Sequence, residues 1–78
     1  MKLLSRRALD QLGTLQANLQ ELATHRNTAL RMFMASRNTT TPVAQREFWL
    51  EFAWVDSEYR IAVRRLAQFC SDHRSLVA

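Results

Sequence analysis

The chain has 78 residues, a formal net charge of +4 and an isoelectric point of about 10.6, with 47% hydrophobic and 23% charged residues. That length excludes two-domain enzymes and bound-cofactor folds of ordinary size, and the apolar fraction excludes a disordered tail. A chain this short buries only about 60% of the surface its unfolded form exposes, so its core needs a supplement.

The usual supplements can be tested against the residues. Cys70 is the only cysteine, so an intrachain disulfide is impossible and a reducing compartment is expected. His25 and His73 are the only histidines, and with Cys70 they match no zinc spacing, so neither a metal nor another cofactor is expected. The basic start Lys2, Arg6, Arg7 resembles the charged end of a signal peptide, but Asp10, Gln11 and Gly13 break the apolar run that should follow. No apolar stretch approaches the ~20 residues that cross a bilayer. The sequence therefore predicts a soluble, cytoplasmic protein with no membrane span, whose remaining supplement is another chain.

One Gly and one Pro are too few for strands joined by tight turns, which points to an all-α fold. A first helix is predicted over about 5–36, with Ser5 as its N-cap. Its apolar residues fall at Ala8, Leu12, Leu15, Leu19, Leu22, Ala29 and Phe33, alternating four and three apart, and Arg26 takes the one missing slot. Leu9, Ala23 and Leu30 widen that stripe. Gly13 reads as a tolerated imperfection, with close helix approach as the other reading. Arg26 is expected to snorkel past the seam, the alternative being a pair with Asp56 or Glu58. Met32 and Met34 beside Phe33 make a soft apolar tip.

A polar loop is predicted over about 37–41, where Thr41 and Pro42 supply an N-cap and a first-turn proline for the next helix. The second helix, about 42–72, repeats the heptad at Phe48, Phe52, Val55, Tyr59, Ala62, Leu66 and Phe69. The short loop makes the two helices antiparallel neighbours in a single coiled-coil-like hairpin domain. Tyr59 is expected in the core with its hydroxyl at the edge, and Cys70 as a buried thiol following Phe69. Trp49 lies between faces and can serve either. Leu76 and Val77 belong to a tail without periodicity, expected to fray.

The second helix has more apolar residues than the hairpin uses. On a wheel of 100° per residue, Val43, Leu50, Trp54 and Ile61 fall nearly opposite the inner stripe. Arg46, Arg60 and Arg64 border them on one side, and Glu47, Glu51 and Glu58 on the other. This charged-rim seam is the candidate partner-binding surface, with Arg60 and Arg64 as its polar contributors. Its occupant is expected to be a partner helix or a second copy, either of which completes the core. The positive charge, carried almost wholly by arginine, also admits an RNA-binding face on a dimeric hairpin of the Rop type, but acidic neighbours make nucleic acid the lesser expectation. There is no phosphate loop, metal-ligand set or nucleophile with a base, so an enzyme is not expected.

The second helix reads Gln45-x-x-x-Trp49-x-x-x-Ala53-x-Val55-Asp56-x-x-x-x-Ile61-Ala62. Together with the size and the polar connection, this resembles the YscE- and SsaE-like co-chaperones of bacterial type III secretion over roughly residues 9–69. The resemblance implies a cytoplasmic co-chaperone that binds and stabilises a helical-repeat chaperone of the tetratricopeptide type. That chaperone in turn masks the polymerising needle subunit, which the hairpin need not touch.

Overall fold

The computed structural model describes residues 5–38 and 41–73. They form α1, Arg6–Ser36, and α2, Pro42–Asp72, each of 31 residues. The helices lie side by side as an antiparallel hairpin. Arg26 meets Asp56 and Phe33 meets Trp49, so a step along one helix is matched by an equal step back along the other. Principal extents of 58 × 16 × 15 Å describe a rod. Its radius of gyration, 17.4 Å, far exceeds the ~12 Å of a compact domain of this length.

Local chemistry sets the ends. The Ser5 hydroxyl oxygen accepts the Ala8 N–H at 3.1 Å, and the Thr41 hydroxyl oxygen accepts the Ala44 N–H at 3.3 Å. Pro42 sits in the first turn of α2, where its missing N–H costs nothing. Across the connection, the Gln45 side-chain amide donates to the Arg37 carbonyl at 3.3 Å, tying α2 to the end of α1. At the other end the His73 N–H donates to the Phe69 carbonyl at 3.1 Å, and its ring stacks on Phe69 with centroids 4.0 Å apart. Neither first turn holds an acidic residue and neither last turn a basic one, so the helix dipoles find no side-chain complement there. Packing between the helices must carry the stability.

That packing is narrow. The buried apolar residues among those described are Ala8, Ala29, Val55, Ala62 and Phe69, and Val55 alone is completely covered. Leu12, Leu15, Leu19, Leu22 and Phe33 of α1 and Phe48, Phe52, Tyr59 and Leu66 of α2 are half-buried. Two cylinders touch along a line, so side chains flanking that line are covered on one side only. Both heptad stripes thus face each other as the spacing requires, yet together they enclose little. Ala23 and Leu30 share the partial cover, whereas Leu9 stands half in water.

Two expectations at single residues resolve here. A Cβ built on Gly13 meets nothing within 4 Å, so the glycine marks no close approach of the helices. Replacing Gly13 with Ala is expected to stabilise the hairpin by up to ~1 kcal/mol, through helix propensity and a stiffer unfolded chain. Chemical denaturation of the two proteins checks this, and an unchanged or lowered midpoint would contradict it. Cys70, expected to be buried, is exposed. The inner face of a straight helix drifts by about 20° per heptad, and in the last turns Phe69 holds the seam while the next residue points away. Leu76 and Val77 lie outside the described residues.

Candidate protein-interaction surface

The face of α2 turned away from α1 carries Val43, Leu50, Trp54 and Ile61, which are 70%, 54%, 58% and 39% exposed. All four lie within α2, Val43 in its first turn and the others further along, and they project as one row about 27 Å long at 1.5 Å rise per residue. A tryptophan, a leucine and an isoleucine thus stand exposed in one row, which makes this face the candidate interaction surface. Exposed Arg46 and Arg64 line one flank; exposed Glu47 and Glu51 line the other, with Glu58 partly covered.

Arg60 behaves differently from the other rim arginines. Its Nε lies 3.0 Å from Asp56 Oδ2, while Arg26 Nε donates to Asp56 Oδ1 at 2.6 Å. One carboxylate is thereby shared between both helices. Arg26 does not snorkel: the nearby acid holds it, and its guanidinium also lies 5.5 Å from the ring centroids of Phe52 and Tyr59. The arrangement fixes the level of the seam. Sliding the helices by one heptad would put Asp56 beside Leu19 or Phe33 and strand the Arg26 charge among apolar side chains, which is costly.

The hydrogen bond from Arg26 pulls the Asp56 carboxyl below its ordinary value of 3.8, with the charges of Arg60 and Arg26 adding to the shift and desolvation opposing it. A depressed folded-state value means the cluster's stabilisation is present above the unfolded-state value and is lost as pH falls through the folded one. Thermal midpoints of the natural chain should therefore drop in acid, in a window below about pH 4. Asp56→Asn should show a lower midpoint at neutral pH and a flatter acid limb. Identical pH profiles for the two proteins would remove the cluster's role.

Near the loop, Trp49 joins the inner side. Its ring centroid lies 5.3 Å from Phe33 and 5.8 Å from Phe52, and it remains 48% exposed. Met32 and Met34, on either side of Phe33 in the sequence, stand half exposed. His25 Nε2 lies 3.3 Å from Glu51 Oε1 across the helix pair, a contact that periodicity alone did not reveal.

No helix among the described residues is long and apolar enough to cross a membrane. No protein-family model, curated protein or solved structure matches the chain. Fold and surface together define a helical hairpin that presents an apolar face with charged rims.

Proposed function

We infer that the chain is a protein-interaction module that completes its core on a helical partner, with the outer face of α2 as the docking surface. The observation that carries this reading is the half-exposed row of Leu50, Trp54 and Ile61 beside an inner seam that leaves most of its own large side chains only half-buried. Burying those three is worth about 1.5–3 kcal/mol each, comparable with the ~3–5 kcal/mol that so small a core supplies. Following the resemblance of Gln45 through Ala62, the partner is a cytoplasmic helical-repeat chaperone of the tetratricopeptide type, dedicated to a type III secretion needle subunit. The hairpin stabilises that chaperone and contacts the needle subunit only through it.

Co-expression with such a chaperone, followed by affinity purification, tests this. The natural chain is expected to co-purify, and a Leu50→Ser/Trp54→Ser variant is expected to lose the complex while keeping its helical circular dichroism. A complex that survives the double substitution would refute the surface assignment; no complex with the natural chain would refute the partner. The RNA-binding reading has less to support it, because Arg60 spends its charge on Asp56. It demands binding that weakens steeply with added salt, and a filter assay at low ionic strength without binding would dispose of it.

A further inference from the structure

Charge is not spread evenly along the rod. Between Glu21 and Arg60 five arginines stand against five acids, so the chain's formal net charge of +4 belongs to residues 1–20 and 61–78. The antiparallel pairing brings the described parts of those two segments to one end, opposite the loop. Arg6, Arg7, Arg64 and Arg65 are all exposed there, and none makes an ion pair among the described residues. Arg26 and Arg60, by contrast, spend their charge on Asp56. Arg6 and Arg7 even occupy the first turn of α1, the positive end of the helix dipole, where a cation lowers stability.

The same end holds an open groove between the helices. Its volume is about 280 Å³, and it is lined by Gln11 and Leu15 of α1 and by Arg65, Gln68, Phe69 and Asp72 of α2, with His73 beyond. Leu15 is half-buried and Phe69 buried, which gives the groove an apolar lining between polar walls. Part of the wall is already engaged. His73 Nδ1 lies 2.8 Å from the Phe69 carbonyl, which can only accept, and the Gln68 amide donates to Asp72 Oδ1 at 2.8 Å. The side chains of Arg65 and Gln11 have no partner among the described residues. Arg7 adds a second cation, since it precedes Gln11 by four residues, one turn along the same face of α1.

We propose that this end of the rod is a second binding site, for an acidic segment of another protein, with an apolar side chain of that segment in the groove and its carboxylates on Arg65 and Arg7. Arginine suits the role, because its planar fork binds a carboxylate through two parallel hydrogen bonds. The one acid of the groove, Asp72, counts against a ligand that is anionic throughout. A nucleic-acid strand carries a charge at every nucleotide and would run on past the groove, where the rod is neutral. Arg65 stands about 16 Å along α2 from Trp54 at 1.5 Å rise per residue. The site is therefore separate from the outer face of α2 and does not rest on that face being a docking surface.

Fluorescence anisotropy at low ionic strength, with a labelled peptide of glutamates around one central leucine, tests the site. Binding is expected, and about fivefold weaker binding for an all-glutamate peptide, which has nothing to place in the groove. Arg7→Gln/Arg65→Gln should weaken it about tenfold, while Arg31→Gln/Arg37→Gln, which removes the same charge near the loop, should leave it unchanged. All four arginines are exposed, so helical circular dichroism should persist in both variants. Gln11→Glu keeps every arginine but sets a carboxylate in the groove, and it should weaken binding as well. Emission from Trp49 and Trp54, both distant from the groove, should not shift when unlabelled peptide is added. Equal losses for the two arginine pairs would overturn the site in favour of diffuse attraction to a basic chain. A shift in tryptophan emission would move the peptide to the outer face of α2. A uridine oligonucleotide bound more tightly than the peptide would replace the acidic segment with nucleic acid, and no binding of either would refute the site.

Discussion

Val55→Asp is expected to abolish the fold at neutral pH, with loss of helical circular dichroism and of any cooperative transition. Among the described residues Val55 is the one with no exposed surface, and it sits near the middle of α2. A carboxylate there has no route to water and no designed partner, and the effective cost of an uncompensated buried charge is several kcal/mol. The whole domain has only ~3–5 kcal/mol to lose. The introduced acid would have its folded-state pKa raised by burial, so the penalty is largest above the ordinary carboxylate range and shrinks in acid. Val55→Ala separates charge from shape. It removes two methyl groups and should cost about 2 kcal/mol, leaving a weakened but folded hairpin. A Val55→Asp protein with a normal thermal transition at pH 7 would show that the seam is not the core.

Phe69→Ala has the next largest effect. Phe69 is the only large aromatic side chain among the buried residues, and it carries the stacked His73 ring at the open end of the rod. Truncating a buried phenylalanine costs about 3–5 kcal/mol, which approaches the entire stability. The loop cannot help there, because it ties the opposite ends of the helices. Hydrogen exchange should show protection lost first in the last turns of α2 and the first turns of α1, with the segment around Arg26 and Asp56 the last to open. Trp54→Ala provides the contrast. It removes a larger ring, yet from a position 58% exposed, so the stability of the single chain should move by no more than about 0.5 kcal/mol. Equal losses for the two substitutions would mean that the inner and outer faces had been confused.

The heptad spacing made both inner stripes legible, because a three-four repeat can bury itself only along one side of a helix. Ser5, Thr41 and Pro42 were legible for a similar reason: their side-chain chemistry fits only a helix start. What the sequence could not supply was the relation between the helices. Arg26 occupies a core slot on any wheel, and whether it snorkels or pairs depends on which residue of α2 stands at its level. The same is true of His25 and Glu51, which no pattern along one helix connects. Cys70 is exposed although it follows buried Phe69, because each step along a helix turns the side chain by 100°. The surplus apolar face could be read from the wheel, but its exposure became a fact only once α1 was seen to cover so little of α2.

A seam one side chain wide has a consequence for turnover. The free energy needed to unfold a chain rises with whatever binds its folded form, by an amount set by partner concentration relative to the dissociation constant. With Val55 alone fully enclosed among the described residues, the uncovered hairpin opens often, and every opening presents a protease with a long cleavable strand. Covering α2 closes that route. The steady-state amount of the hairpin in a cell would then track the supply of its cover rather than its own rate of synthesis, so any excess is removed without a dedicated regulator.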